Sequence, residues 1–206
     1  MEKFVITISR QFGSLGRPIA KQLSTLLGVR YYDRDIVEAA AEKLKKPLSV
    51  ISNEEETANT FFKMKYPLGM GTSLFQDEIF QAQKSIVNTM ADKSSCIIVG
   101  RCADSIFKDH PNSFHVYIYA SYEAKLYNCT HELKMEPRTA RHMMAEVDAA
   151  RNAYHKTYAG SRIDCVDNYT MMIDSGRFGV KGTAQVLAQT VRGLYGDQTN
   201  GGTDAD

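Results

Sequence analysis

Residues 4–20 read FVITISRQFGSLGRPIA. Phe4 to Ile8 is a short apolar run of strand-forming residues, Ser9 to Gly16 is polar and small, and Arg17 to Leu27 takes up helical spacing. A strand that passes through a small-residue loop into a helix N-terminus is how a chain builds a phosphate cradle. The loop amides converge, and the helix end adds partial positive charge. Nucleotide or phosphate chemistry is the leading expectation. The segment also fits a plain glycine turn between strand and helix, as any α/β protein has.

Working outward, residues 29–33 (VRYYD) read as a brief strand and 34–44 (RDIVEAAAEKL) as a helix rich in strong helix formers, stopped by Pro47. The acidic stretch 49–59 reads as a second short helix, and 60–71, with aromatics, Met64, Met70 and glycines, as an irregular segment. Residues 73–92 have the period of a long amphipathic helix burying Leu74, Ile79, Ile86, Val87 and Met90. The apolar runs CIIV (96–99) and FHVYIYA (114–120) suit strands covered on both faces. Residues 123–162 read as mostly helical and polar, YTMMI (169–173) as a last strand, and 183–195 as a final amphipathic helix. Residues 196–206 lack apolar anchors and read as a frayed tail. Strands separated by helices predict a three-layer α/β fold with parallel strands.

At 206 residues one domain is the default, and the near-balanced charge of +1 gives no global basic field for nucleic acid or an anionic membrane. No apolar run reaches spanning length, so the expected location is the cytoplasm. Cys96, Cys102, Cys129 and Cys165 match no zinc spacing, and nothing near them activates a thiol. No metal-ligating set stands out, and the five histidines are scattered surface or core residues.

The common triphosphate loop is G-x-x-x-x-G-K-[ST]. With Gly16 as its second glycine, Gln11 falls at the first glycine, Arg17 at the lysine and Pro18 at the hydroxyl. Gly13 and Gly16 still allow tight curvature. Arg17 can pair with phosphate through a planar fork, and proline is tolerated in a first helical turn. Pro18 supplies no hydroxyl to Mg²⁺, so the metal is left to other groups or to nucleotide and water.

The chain resembles the cytidylate kinase-like proteins, a branch of the P-loop nucleoside monophosphate kinases. The matching segments, in order, are ISRQFGSLGR, YYDRDIVEAAA, IIVGRCAD, DAARNAY and NYTMMIDSGRFG, which together cover roughly residues 4–195. The resemblance implies a P-loop kinase fold: a parallel five-stranded sheet between helices, an acceptor-binding insertion near 34–92 and a lid near 130–162. It implies phosphoryl transfer from ATP to CMP or dCMP with Mg²⁺. No protein nucleophile is needed, and small-molecule nucleotides are the expected partners. Pro18 departs from the branch, where an acid is usual.

Gln11, Gly13, Ser14, Gly16 and Arg17 are then the donor-phosphate residues. Arg101, in the Gly-Arg turn after a strand, orients the acceptor phosphate; its plain reading is a salt bridge at the sheet end. In true cytidylate kinases the base-reading acid follows that arginine directly. Here Cys102 takes that place and Asp104 stands three residues on, as either base reader or helix N-terminal acid. Arg141, Asp148 and Arg151 share one helical face. They read as a solvated face with an Asp148–Arg151 pair, or, under the resemblance, as lid residues, with Arg151 and then Arg141 stabilising the transferring group. Asp33 and Asp35 end the second strand, where acids serve an acceptor sugar, a metal's water shell or a helix cap. Phe61, Phe62 and Met64 are candidates to line an acceptor pocket. Two alternatives stay open: a non-catalytic nucleotide-binding regulator, and a kinase for a different small acceptor.

Overall fold

The computed structural model of the protein describes residues 3–45 and 73–196. Expectations about residues 46–72, about the tail past 196, and about the side chains of Asp35 and Leu74 lie outside the described residues.

Strands β1 (Val5–Arg10), β2 (Arg30–Tyr32), β3 (Cys96–Val99), β4 (Ser113–Tyr119) and β5 (Met171–Asp174) form one sheet in the order β2-β3-β1-β4-β5. Every neighbouring pair is parallel, with β1 at the centre; Thr7 stands opposite Ile98 of β3 and His115 of β4. The helices are α1 (Gly16–Leu27), α2 (Arg34–Leu44), α3 (Ser73–Lys93), α4 (Ala103–Ile106), α5 (Tyr122–Tyr127), α6 (Pro137–Ala159) and α7 (Ser175–Tyr195). The expected three-layer parallel α/β fold is what forms, and no described helix is long and apolar enough to cross a membrane.

Period-two alternation along β1 explains the layering. Phe4, Ile6 and Ile8 pack on one face with Ile19, Leu23 and Leu27 of α1 and Leu187 and Val191 of α7. Val5 points the other way, into a cluster with Ile36, Val87, Ile98 and Phe107. Both faces are thus apolar, and each fully buried Ile or Leu contributes roughly 1.5–3 kcal/mol. Towards the carboxyl end of β1 the second face turns polar. Thr7 and Ser9 are buried, and they contact His115 and Asp104. That polar end is where the candidate site lies.

Some element boundaries differ from the sequence reading. β1 continues to Arg10, which stands opposite Ile118 of β4, because the ladder outlasts the apolar run. α7 begins at Ser175, where the Asp174 carboxylate accepts a 2.9 Å hydrogen bond from the Gly176 amide. It bends at Gly179 (φ 63°), so helical periodicity shows only after that break. Residues 123–162 are mostly helical, as the sequence reads: α5 runs into a π-turn at Asn128–Glu132, and α6 restarts at Pro137. Pro137 sits in the first turn, where its missing N–H costs nothing, and Glu136 caps the Thr139 amide at 2.9 Å.

Candidate active site

The loop leaves β1 at Arg10 and enters α1 at Gly16. Gly13 (φ 78°) and Leu15 (φ 58°) are both left-handed, which coils the chain tightly. The Gln11 amide donates to the Ile118 carbonyl at 3.0 Å, and the Gln11 side-chain oxygen accepts from the Ala120 amide at 3.3 Å. Ser14 is fully buried. Its hydroxyl donates to the Gln11 carbonyl at 2.9 Å, and its own carbonyl accepts from the Ser175 hydroxyl at 2.8 Å. The Asn128 amide side chain holds the Gly13 carbonyl at 2.9 Å. The loop is therefore braced from α7 and from the π-turn, and the Ser14 hydroxyl, expected at the donor phosphates, is spent inside the loop.

Gly13 has no room for a side chain. A Cβ there would lie 2.9 Å from Cys129 Sγ and 2.9 Å from the Lys125 carbonyl, at a φ that alanine resists. Gly13→Ala is expected to destabilise the protein by about 3 kcal/mol, combining left-handed strain with overpacking. Urea unfolding checks this, and an unchanged midpoint contradicts it.

Four arginines approach one another at the carboxyl ends of β1 and β3. Arg10 is held well below its ordinary pKa, first by burial and then by repulsion from Arg151, Arg17 and Arg101, with Asp33 pulling the other way. Arg17 forms a short ion pair with Asp33, which stands at the N-cap position of α2 without a side-chain capping hydrogen bond and is 5% exposed. Asp33 also faces Arg10 at 4.0 Å, and its Oδ1 atom is buried with no hydrogen-bond partner among the described residues. Arg101 lies in a turn in which Gly100, Arg101 and Cys102 are all left-handed (φ 77°, 62° and 51°). Two non-glycine residues in that region cost on the order of 1–3 kcal/mol each, and such strain clusters at functional sites.

Arg151 of α6 donates to the Arg10 carbonyl at 3.2 Å and stands 3.8 Å from Asp148. Asp148 accepts a 2.6 Å hydrogen bond from the Phe12 amide, the first N–H group after Gln11 in the loop, and faces Lys125 at 3.5 Å. Burial raises the Asp148 pKa in spite of the Phe12 amide, Lys125 and Arg151. Arg10, Asp148 and Arg151 line a cavity of about 210 Å³ with Gln11, Tyr117 and Arg162. Arg141 is exposed and stands outside that lining, two turns towards the N-terminus of α6 from Asp148.

Asp104 does not open onto the cavity. It is 3% exposed, takes the Ser9 hydroxyl at 3.4 Å on one oxygen and meets His155 Nε2 at 2.7 Å with the other. The Nδ1 atom of His155 lies 2.8 Å from the Ser161 carbonyl. Asp104, read from the sequence as either base reader or helix N-terminal acid, lies in the first turn of α4 and is turned inward between β1, α4 and α6. Burial alone lowers the His155 pKa, but Asp104 and the Ser161 carbonyl outweigh it, and the net shift is upward. His115, on Thr7, is shifted downward by burial.

The two shifts act in different pH windows. Below about pH 6.5 the unfolded chain takes up a proton that His115, lowered by burial in the folded chain, binds less readily, so stability rises with pH there. Above about pH 6.5 the folded chain keeps the His155 proton that the unfolded chain has lost. Stability then falls as pH passes through the raised folded value. We expect a stability maximum near pH 6.5, with the decline above it absent in His155→Gln; a decline that survives in the variant contradicts this.

The sequence reading missed Arg10 and His155 as site-forming residues. Arg10 carried a signal, since a charge closing an apolar strand next to a glycine loop must sit at the loop's base. His155 lies one turn beyond Arg151 but pairs with a residue remote in sequence. Burial pushes the Cys96 thiol up to about 12 and raises those of Cys102 and Cys129.

A family model described as the cytidylate kinase-like family matches residues 5–177. Among solved structures, an uncharacterised protein from Eubacterium ventriosum is similar at TM-score 0.69 and 23% identity, covering 92% of this chain and 98% of that one. Shikimate kinase from Bacteroides thetaiotaomicron follows at TM-score 0.56 and 10% identity, covering 92% and 98%. A sugar kinase from Janibacter sp. stands at 0.56 and 13%, covering 97% and 100%. No curated protein matches this sequence.

Proposed function

The chain belongs to the cytidylate kinase-like family, and on that footing we propose that it transfers the terminal phosphoryl group of ATP to CMP or dCMP. Family membership supports phosphoryl transfer as the reaction class. The observation that carries the proposal is the meeting of Arg10, Arg17, Arg101 and Arg151 beside a glycine turn. Such an excess of guanidinium charge at a sheet's carboxyl edge suits a phosphate chain.

In this reading the amides at Gly13, Gly16 and Arg17 hold the donor phosphates. Arg101 orients the acceptor phosphate. Arg151 stabilises the charge that spreads over the transferring group, and α6 acts as the lid, with Arg141 approaching on closure. The acceptor oxygen attacks phosphorus directly as the bond to the leaving diphosphate breaks.

The residues present do not fit a resident metal. Pro18 has no hydroxyl, Asp33 faces Arg17 and Arg10, and no three ligating side chains stand together among the described residues. Mg²⁺ would come with ATP, and the steps above do not pass through it. The buried position of Asp104 favours a second reading, a kinase for another small acceptor.

A panel of nucleoside monophosphates and small alcohols with terminally labelled ATP tests both. Label in CMP or dCMP above an Arg151→Ala control supports the first reading. Label only in another acceptor supports the second, and no transfer at all defeats both in favour of a non-catalytic nucleotide binder.

A further inference from the structure

Arg10 is the residue that neither the sequence nor the family comparison assigns. Its side chain is only 13% exposed, yet its one ion-pair partner among the described residues, Asp33, stands at 4.0 Å. Asp33 is already engaged at shorter range by Arg17, whose side chain is 41% exposed. A guanidinium buried with so weak a counter-charge is unfavourable unless another anion completes it.

The surroundings are shaped around this side chain. A Cβ at Gly16 would lie 2.8 Å from Arg10 Cγ, and a Cβ at Gly100 would run into the Arg10 guanidinium. Two glycines, one at the start of α1 and one after β3, thus leave the lane along which Arg10 crosses the sheet edge. The guanidinium at the end of this lane lies against Gly100 and faces Asp33, and Arg10 is also among the residues that line the cavity with Arg151 and Asp148. Arg17, at the position of the usual lysine, is turned instead towards β2.

We infer that Arg10, reaching through the glycine lane from the end of β1, is the principal phosphate-gripping cation of this site, with Arg17 secondary to it. The inference rests on the phosphate-binding reading above and sharpens it. The expected ligand is the phosphate chain of a nucleotide, or any oligophosphate of the same charge. The fork of Arg10 supplies the positive charge that a lysine supplies in the common loop.

Calorimetric titration with inorganic tripolyphosphate and with ATP, on wild type, Arg10→Met and Arg17→Met, tests this. The expected result is a loss of affinity of about tenfold or more for both ligands in Arg10→Met, exceeding the loss in Arg17→Met. The urea midpoint of ligand-free Arg10→Met should be unchanged or higher, since a weakly paired buried charge has been removed. Should Arg10→Met fail to fold, Arg10→Lys is read in its place, with a severalfold loss expected from the missing fork.

Equal affinity in wild type and the folded Arg10 variant overturns the inference and leaves the phosphate site standing, as does a larger loss in Arg17→Met. A wild type that binds neither ligand overturns the phosphate-binding reading itself.

Discussion

Arg151→Ala is expected to lower the single-turnover rate of the proposed phosphoryl transfer about a hundredfold or more. The expectation follows from how the side chain is held. α6 carries it to the carbonyl of Arg10 at 3.2 Å, and Asp148 flanks it at 3.8 Å. Its guanidinium is thus fixed before any ligand arrives, at the point where β1 becomes the loop. A cation placed in advance needs no reorganisation as charge builds on the transferring group, and that is where such a donor is worth several kcal/mol. Removing the head group leaves the fold intact, because Arg151 is partly exposed and Asp148 keeps Phe12 and Lys125. The rate should therefore fall while the unfolding midpoint changes little. Arg151→Lys restores charge without the fork and should recover only part of the loss. Unchanged turnover in Arg151→Ala removes the residue from the mechanism.

Asp104→Ala destabilises the protein by about 3 kcal/mol or more. Asp104 and His155 have side-chain exposures of 2% and 1% and meet at 2.7 Å. Deleting the carboxylate leaves Ser9 and His155 with unmet hydrogen-bonding groups in a site that water does not reach, which is the costly way to break a buried pair. Replacing both partners with apolar residues, in Asp104→Leu with His155→Leu, should recover much of that loss. The pair also ties α6 to the sheet one turn beyond Arg151, so the single variant should lower activity as well as stability. Denaturant melts of the two single variants and the double variant check the account. Additive losses in the double variant contradict it.

The central strand, the helix after it and the parallel sheet were legible because each is written locally. Period-two apolar residues, a glycine turn and helical spacing all agree over residues 4–27. The helix 34–44 and the strand 96–99 matched their elements for the same reason. The start of α7 was hidden because Gly179 breaks the helix before its apolar face begins. The site was legible only in outline. Arg17 could be placed at the glycine loop from motif position, and Arg101 at a strand's carboxyl end from the Gly-Arg turn. The pairing of Arg17 with Asp33, of Asp104 with His155 and of Asp148 with the Phe12 amide joins residues from separate elements. No local pattern encodes those contacts; they follow from the strand order.

The most direct measurement is a crystal structure of the protein soaked with a non-hydrolysable ATP analogue. The phosphate chain is expected against the amides of residues 12–17, with the Asp148 carboxylate withdrawn from the Phe12 N–H and at least one guanidinium from Arg10, Arg17 and Arg151 on a phosphate oxygen. A loop still capped by Asp148 at saturating analogue, with the nucleotide absent or bound elsewhere, contradicts it.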